Sequence, residues 1–387
     1  MKVRLAKGRA RPFWHGNPLV FSGAVASVEG DPAAGDWVEV VDAEDRRIGW
    51  GWFHPTSLYR VRLARWASEE GLPEDPAGVI RTRIERAVAV RRALGIPSPD
   101  CTAWRVVHSE GDGISGLSVD LLGDVAVASD TAFWTERYRT EIDAILRDVA
   151  GSREVVHRVP PALRREEGMA ALPEAPDRDP VEVLEGGLRL LADPWKGQKT
   201  GFYCDQRENR ALVRRLATGR RVLDLYCHSG AFALQAAAGG AREVLAVDTS
   251  APALALGREA AARNGLPVQF LQADVREVLA RDDRWDLVVC DPPKLAASRG
   301  DLPAAAERYL HLNRAAMERV GPGGLLLTCS CSAAMRRDLF LEVLRDAAAR
   351  AHRRVRLLEV RGAGPDHPVH PAFPEGEYLK AVLLSLE

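Results

Sequence analysis

The chain has 387 residues, 46% of them apolar and 28% charged, with a formal net charge of −1 at pH 7. That length exceeds one ordinary core and calls for two or three domains, and the balance is that of a globular protein rather than a disordered one. No apolar run approaches the roughly 20 residues of a membrane helix and Met1-Lys2-Val3-Arg4 opens no signal peptide, so the chain is expected in the cytosol with no membrane partner.

Residues 1–68 alternate apolar and polar side chains between turn signals, most clearly in Trp37-Val38-Glu39-Val40-Val41 and from Ser57 to Leu63. This predicts a small antiparallel β domain. Its first twelve residues carry Lys2, Arg4, Lys7, Arg9 and Arg11 with no acid, a local basic face that suits a phosphate backbone. The stretch Ser68–Pro76 is acidic, holds two prolines and reads as a linker.

Residues 76–187 read as α+β. A predicted helix over 76–94 holds Arg81, Arg83, Arg86, Arg91 and Arg92 against Glu85, either a second basic face or a solvated arginine-rich one. Strands are predicted at 103–107, 117–120, 125–128 and 154–158, with a turn at Glu110-Gly111-Asp112-Gly113 and a helix over 134–150. From 188 to 387 the pattern changes to alternating strands and helices, the mark of a parallel, doubly wound sheet. Its strands are predicted at 221–226, 243–247, 268–272, 285–290 and 323–329, and the run 377–385 is expected as an antiparallel edge strand.

Ligands of such sheets bind beyond the carboxyl ends of the strands. Asp224 lies near the end of the first strand, ahead of His228-Ser229-Gly230-Ala231-Phe232; Asp248 ends the second, followed by Thr249, and Asp274 ends the third, followed by Val275. The loop has neither a dinucleotide glycine pattern nor a phosphate loop. A nucleoside without phosphate, held by strand-end acids, describes S-adenosylmethionine. Such acids are also common helix N-caps, and three in register outweigh that reading.

Asp291-Pro292-Pro293-Lys294 and Thr328-Cys329-Ser330-Cys331 end the next two strands. Amino-methylating enzymes usually place an aromatic platform after the two prolines, and Lys294 stands there instead. A ring carbon such as carbon 5 of cytosine becomes nucleophilic only after a thiolate adds to carbon 6. Asp291 can hydrogen-bond the ring, and a lysine such as Lys294 can favour the thiolate. Cys329 and Cys331 share one side of an extended strand, and Cys331 is preferred because it lies further toward the ligand-binding edge. Lys294, Cys329 and Tyr309 are candidates by type for the base that removes the carbon-5 proton. None of the six cysteines has Cys-x-x-Cys spacing, so no metal site is expected and Cys290 reads as a small buried hydrophobe.

With these motifs the chain resembles the large-subunit ribosomal RNA cytosine-5 methyltransferases, built from PUA, EEHEE and Rossmann-like domains. The likeness rests on Leu5–Arg9 and Val20–Val25, on Glu110–Gly113, Asp120 and Arg164–Met169, and on Gly197–Tyr203 with Asp205-Gln206-Arg207. It continues through Asp291–Lys294, Ser330-Cys331-Ser332, Asp366-His367-Pro368 and Pro374–Lys380. The resemblance implies a PUA-like RNA-binding domain over 1–68, an EEHEE-like domain over 76–187 and a methyltransferase domain over 188–387. It implies Cys331 as nucleophile, with Lys199, Thr200, Tyr203 and Gln206 closing the cofactor pocket, and 23S ribosomal RNA as substrate and partner. Homodimer formation is left open. The alternatives are a base-nitrogen methyltransferase acting on guanine without the thiol, an inactive RNA-binding assembly factor, and a small-molecule methyltransferase.

Overall fold

The computed structural model describes residues 1–296 and 298–387, without the side chain of residue 299. The chain folds into two compact units. The first holds Met1–Val181, Asp193–Cys204 and Pro365–Gly376; the second holds Glu182–Ala192, Asp205–Gly364 and Glu377–Glu387.

The first unit opens with six strands: β1 (Lys2–Leu5), β2 (Leu19–Phe21), β3 (Val25–Glu29), β4 (Trp37–Val41), β5 (Arg47–Phe53) and β6 (Tyr59–Trp66). They form one sheet in the order β2-β6-β5-β4-β1-β3. The alternating residues read from the sequence put Val3, Leu5, Val38, Val40, Val61 and Leu63 into one core. Neighbouring strands are antiparallel except β1 and β4, which pair in parallel, so the sheet is mixed rather than wholly antiparallel as expected.

The helix Pro76–Ala93 follows, capped by Asp75, whose carboxylate accepts the Gly78 N–H at 2.7 Å. Four more strands, β7 (Ala103–His108), β8 (Leu117–Leu122), β9 (Val125–Asp130) and β10 (Glu154–His157), form a sheet in the order β10-β9-β8-β7. The single helix expected over 134–150 is two, Phe133–Arg137 and Arg139–Val149, separated at Tyr138. Trp134, on the first of these helices, stacks on Trp52 of β5 at 3.9 Å and ties that helix to the six-stranded sheet.

Of the basic face offered as one reading of the helix Pro76–Ala93, Arg86 and Arg92 stay exposed, whereas the other three arginines are taken up within the protein. Arg91 is fully buried, paired with Asp112 at 2.5 and 2.8 Å and donating to the Asp366 carbonyl; Arg83 is buried against Glu69 and the Ala64 carbonyl. Arg81 pairs with Glu85 and Asp148. These guanidinium groups hold the unit together and are not available as a phosphate-binding stripe.

The second unit starts with the hairpin β11 (Val181–Glu185) and β12 (Leu188–Ala192). Its main sheet has seven strands: β13 (Arg221–Leu225), β14 (Glu243–Asp248), β15 (Gln269–Gln272), β16 (Trp285–Cys290), β17 (Val320–Ser330), β18 (Val355–Arg361) and β19 (Lys380–Leu386). The order is β15-β14-β13-β16-β17-β19-β18. The first five are parallel, with Leu225 opposite Val247 and Cys290, and Cys290 opposite Thr328. β19 is antiparallel, as expected, but it is not the edge. β18 lies outside it, and its Leu357 and Leu358 are exposed, which leaves no alternation to read. Among the described residues no helix is long and apolar enough to cross a membrane, and no cysteine is in a disulfide.

His157 ends β10 between Asp130 at 2.6 Å and Asp143 at 2.9 Å. Burial alone lowers its pKa, but the two carboxylates outweigh burial and raise it to about 9. The imidazolium therefore stabilises the fold fully below its unfolded value of about 6.5, and that contribution fades as the pH rises through about 9. His157→Gln should lose up to about 3 kcal/mol at pH 6 and flatten the stability profile over that window, as read by urea denaturation.

Candidate functional site

β13 ends at Leu225 and the loop Tyr226–Gly230 turns into the helix Ala231–Ala238. Tyr226, His228 and Gly230 all have positive φ, at 62°, 51° and 69°. For tyrosine and histidine that conformation costs about 1–2 kcal/mol each, so the surroundings must impose it. The Cys227 N–H donates to the Val247 carbonyl at 3.0 Å, the His228 N–H to Asp248 Oδ2 at 2.8 Å, and the Gly230 N–H to the Cys227 carbonyl at 2.7 Å. Ser229 and Phe232 are buried beside this turn.

Three carboxylates gather here. Asp224 is buried; Oδ2 accepts the Ala233 N–H at 3.0 Å, and Oδ1 has no hydrogen-bond partner. Burial pushes its carboxyl well above the usual range, and the charges of Asp291 and Asp248 push the same way. Asp248 also accepts the Ser250 N–H at 2.9 Å and is followed by exposed Thr249. A strained loop over an orphaned carboxyl oxygen and mutually repelling acids favours a cationic ligand, and the sulfonium of S-adenosylmethionine fits that charge.

Asp274 behaves differently. It caps the helix Val275–Leu279, accepts the Arg276 N–H at 2.8 Å and pairs with the Arg276 guanidinium, whose hydrogen bonds hold its carboxyl at about 2. Its carboxylate does the work of a helix cap, while Val275 beside it is buried.

At the end of β16, Asp291 Oδ2 accepts from Gln206 Nε2 at 2.9 Å, and Asn209 Nδ2 fixes the Gln206 carbonyl oxygen at 2.6 Å. Pro292 is buried, whereas Pro293 and Lys294 are exposed. The pairing of Cys290 with Thr328, continued one step, brings Asp291 beside Cys329. Cys329 is fully buried, and burial with the Asp291 charge pushes its thiol well up. Cys331 stands one residue past β17 and is half-buried; the other five cysteines are buried. Ser330 and Ser332 flank it, and the Tyr309 hydroxyl hydrogen-bonds both, at 3.0 and 3.3 Å. Burial pushes the Tyr309 phenol up as well.

Gln206, Asp224, Ser229, Gly230, Phe232, Asp248, Thr249, Asp274, Val275, Asp291, Lys294 and Cys331 belong to the second unit, whereas Lys199, Thr200 and Tyr203 belong to the first. There the Thr200 hydroxyl donates to Asp120 at 2.6 Å, the Lys199 ammonium lies 4.2 Å over the Tyr203 ring, and the Tyr203 hydroxyl donates to Gln198. After β1, Lys7 and Arg9 in the loop and Arg11 at the start of the short helix Arg11–Trp14 are exposed and pair with no carboxylate among the described residues.

A family model of S-adenosylmethionine-dependent methyltransferases matches residues 154–384, and a PUA-like domain model matches 3–66. Two proteins named ribosomal RNA large subunit methyltransferase I align nearly end to end. That of Shewanella denitrificans is 37% identical over 99% of this chain and 98% of its own; that of Erwinia tasmaniensis is 34% identical over 98% of each. The chain belongs to this methyltransferase family. Its enzyme class and its cofactor, S-adenosylmethionine, follow. The fold agrees: a methyltransferase structure complexed with SAH covers 100% of both chains at TM-score 0.84 and 20% identity, and one from Streptococcus mutans gives 0.82 at 20%.

Sequence reading passed over Asn209, which orients Gln206, and Lys380, a buried lysine whose Nζ donates to the Ser332 and Tyr378 carbonyls at 2.7 Å. A lone lysine inside the apolar run Leu379–Leu384 was the available signal for the second.

Gly230 tests the loop. A Cβ there meets the Phe270 ring at 2.5 Å at a φ that disfavours side chains. Gly230→Ala should destabilise the enzyme by about 1–3 kcal/mol and weaken S-adenosylmethionine binding about tenfold or more in calorimetry.

Proposed function

We propose that this methyltransferase modifies carbon 5 of a cytosine in large-subunit (23S) ribosomal RNA, with Cys331 as covalent nucleophile. The relatives' name supports the RNA class. The observation that carries the mechanism is the standing of Cys331: alone among the six cysteines it is not buried, at the carboxyl edge of the strand next to the one that carries Asp291.

The Cys331 thiolate adds to carbon 6, forming a carbon–sulfur bond and sending electron density toward carbon 5 and the ring carbonyl. Asp291, held by Gln206 and Asn209, is oriented to hydrogen-bond the ring. S-adenosylmethionine supplies the methyl group that carbon 5 takes. A base then removes the carbon-5 proton, the carbon–sulfur bond breaks, and the thiolate returns. Of the candidates for that base, Cys329 and Tyr309 are protonated and buried, and Lys294 is exposed. Asp224, Asp248 and the Ser229–Gly230 turn are assigned to the cofactor, joined by Phe232, Thr249, Asp274 and Val275.

RNA affinity is assigned to the exposed cations Lys7, Arg9 and Arg11. In the same domain Trp14 and Phe21 are 45% and 43% exposed and offer faces on which bases can stack.

Cys331→Ala should bind S-adenosylmethionine as the wild type does and form no 5-methylcytidine when unmodified large-subunit RNA is treated, digested and analysed as nucleosides. Full transfer to carbon 5 by the variant would refute the mechanism, and label in another nucleoside would refute the base. Replacing Lys7, Arg9 and Arg11 together with alanine should leave cofactor affinity unchanged. It should weaken RNA binding and reduce the slope of log affinity against log salt by about 2–3.

A further inference from the structure

Lys380 opens β19 in an otherwise apolar setting and is 1% exposed, between buried Leu379 and Ala381. β19 runs antiparallel to β17, with Lys380 opposite Ser330. Its Nζ donates to the Ser332 carbonyl and to the Tyr378 carbonyl, each at 2.7 Å. Its partners are thus two neutral oxygens, and among the described residues no carboxylate lies at ion-pair distance. Burying an ammonium this way is unfavourable unless an opposite charge repays it.

The ammonium is tied to the residue after Cys331 and stands opposite the residue before it. The thiol of Cys331 is the anion-forming group that the lysine feels most, with Glu377 second. The other titratable groups facing this corner are Cys329 on β17, Tyr309 on the helix Leu302–Arg319 and Asp291 after β16. The first two are held neutral by burial. Burial pulls the Lys380 ammonium down to about 8, against the pull of Cys331 and Glu377, so it keeps its charge through neutral pH.

We propose that Lys380 is a positioning residue whose buried ammonium stabilises the Cys331 thiolate and fixes the Ser330–Ser332 turn that presents it. The thiol releases its proton to solvent before attack. Lys380 keeps its own proton throughout, so no group transfer passes through it. The purpose of the device rests on Cys331 as nucleophile, but the coupling itself can be read without RNA.

The test is the rate at which the full chain's Cys331 is alkylated by iodoacetamide across pH, followed by mass spectrometry of its peptide. Wild-type Cys331 should react at neutral pH at least as fast as cysteine in a short unstructured peptide, despite its half-burial. Slower reaction overturns the proposal. Lys380→Gln keeps a donor for both carbonyls and removes the charge. It should slow alkylation at pH 7 about tenfold and move the profile to higher pH, while Lys380→Arg stays within about twofold of wild type. In methyl transfer, Lys380→Gln should lower kcat and leave the affinity for S-adenosylmethionine unchanged. An unmoved profile in Lys380→Gln that still binds the cofactor overturns the coupling, whatever Cys331→Ala does. Full transfer by Cys331→Ala, with the profile still shifted in Lys380→Gln, overturns the nucleophile reading and leaves the coupling standing.

Discussion

In a parallel sheet every strand ends on the same edge, and the chemistry of the second unit depends on that constraint. The register of Leu225 with Val247 and Cys290, and of Cys290 with Thr328, is set by apolar strands buried on both faces. The middle of these strands is apolar apart from Thr328, whose hydroxyl donates to Asn313 at 2.6 Å, and polar groups enter only toward the strand ends, Asp224 in the last pair but one with β14 and Asp248 in the last with β15. The strand ends are therefore where Asp224, Asp248, Asp291 and Cys331 can stand. A shift of one residue in any strand would exchange its two faces and break the core first. An antiparallel strand beside this edge begins where the parallel strands finish. That is why β19 delivers its first residue, Lys380, to the end of β17.

Gathering acids on one edge has an electrostatic consequence. Asp248 is answered by the N–H groups of His228 and Ser250, and Asp274 by Arg276. Asp224 has one backbone donor and a second oxygen without any, and its carboxyl responds by titrating high. Backbone donors thus compensate part of the charge and leave the rest for a cation. The left-handed turn at Tyr226, His228 and Gly230 points the same way, because its strain is sustained by the hydrogen bonds that cross from β14.

Much of this is legible in the sequence alone. Apolar runs with a polar terminus identify doubly wound strands, and the acids at their ends share one edge whatever the loop lengths. What could not be read depended on partners distant in the chain. Arg91 is an exposed helix cation by local pattern, yet it meets Asp112 and the carbonyl of Asp366, 275 residues away. β18 keeps leucines on its open face, so no alternation announces it. Lys380 was visible as an anomaly within an apolar run, but its meaning required the register that sets it opposite Ser330.

Cys329 and Cys331 show how far periodicity can carry an argument. On an extended strand they are equivalent, two residues apart on one side. The equivalence lasts only as long as the ladder. Cys329 is inside it, paired with Ala381 and fully buried, where desolvation holds the thiol protonated. The last pair is Ser330 with Lys380, and Cys331 is the first residue beyond. Released from the ladder, its backbone follows the Ser330–Ser332 turn, which Tyr309 grips from the helix side and Lys380 from the strand side. Two identical side chains therefore differ in their access to solvent, and the difference comes from where one hydrogen-bonded pair ends.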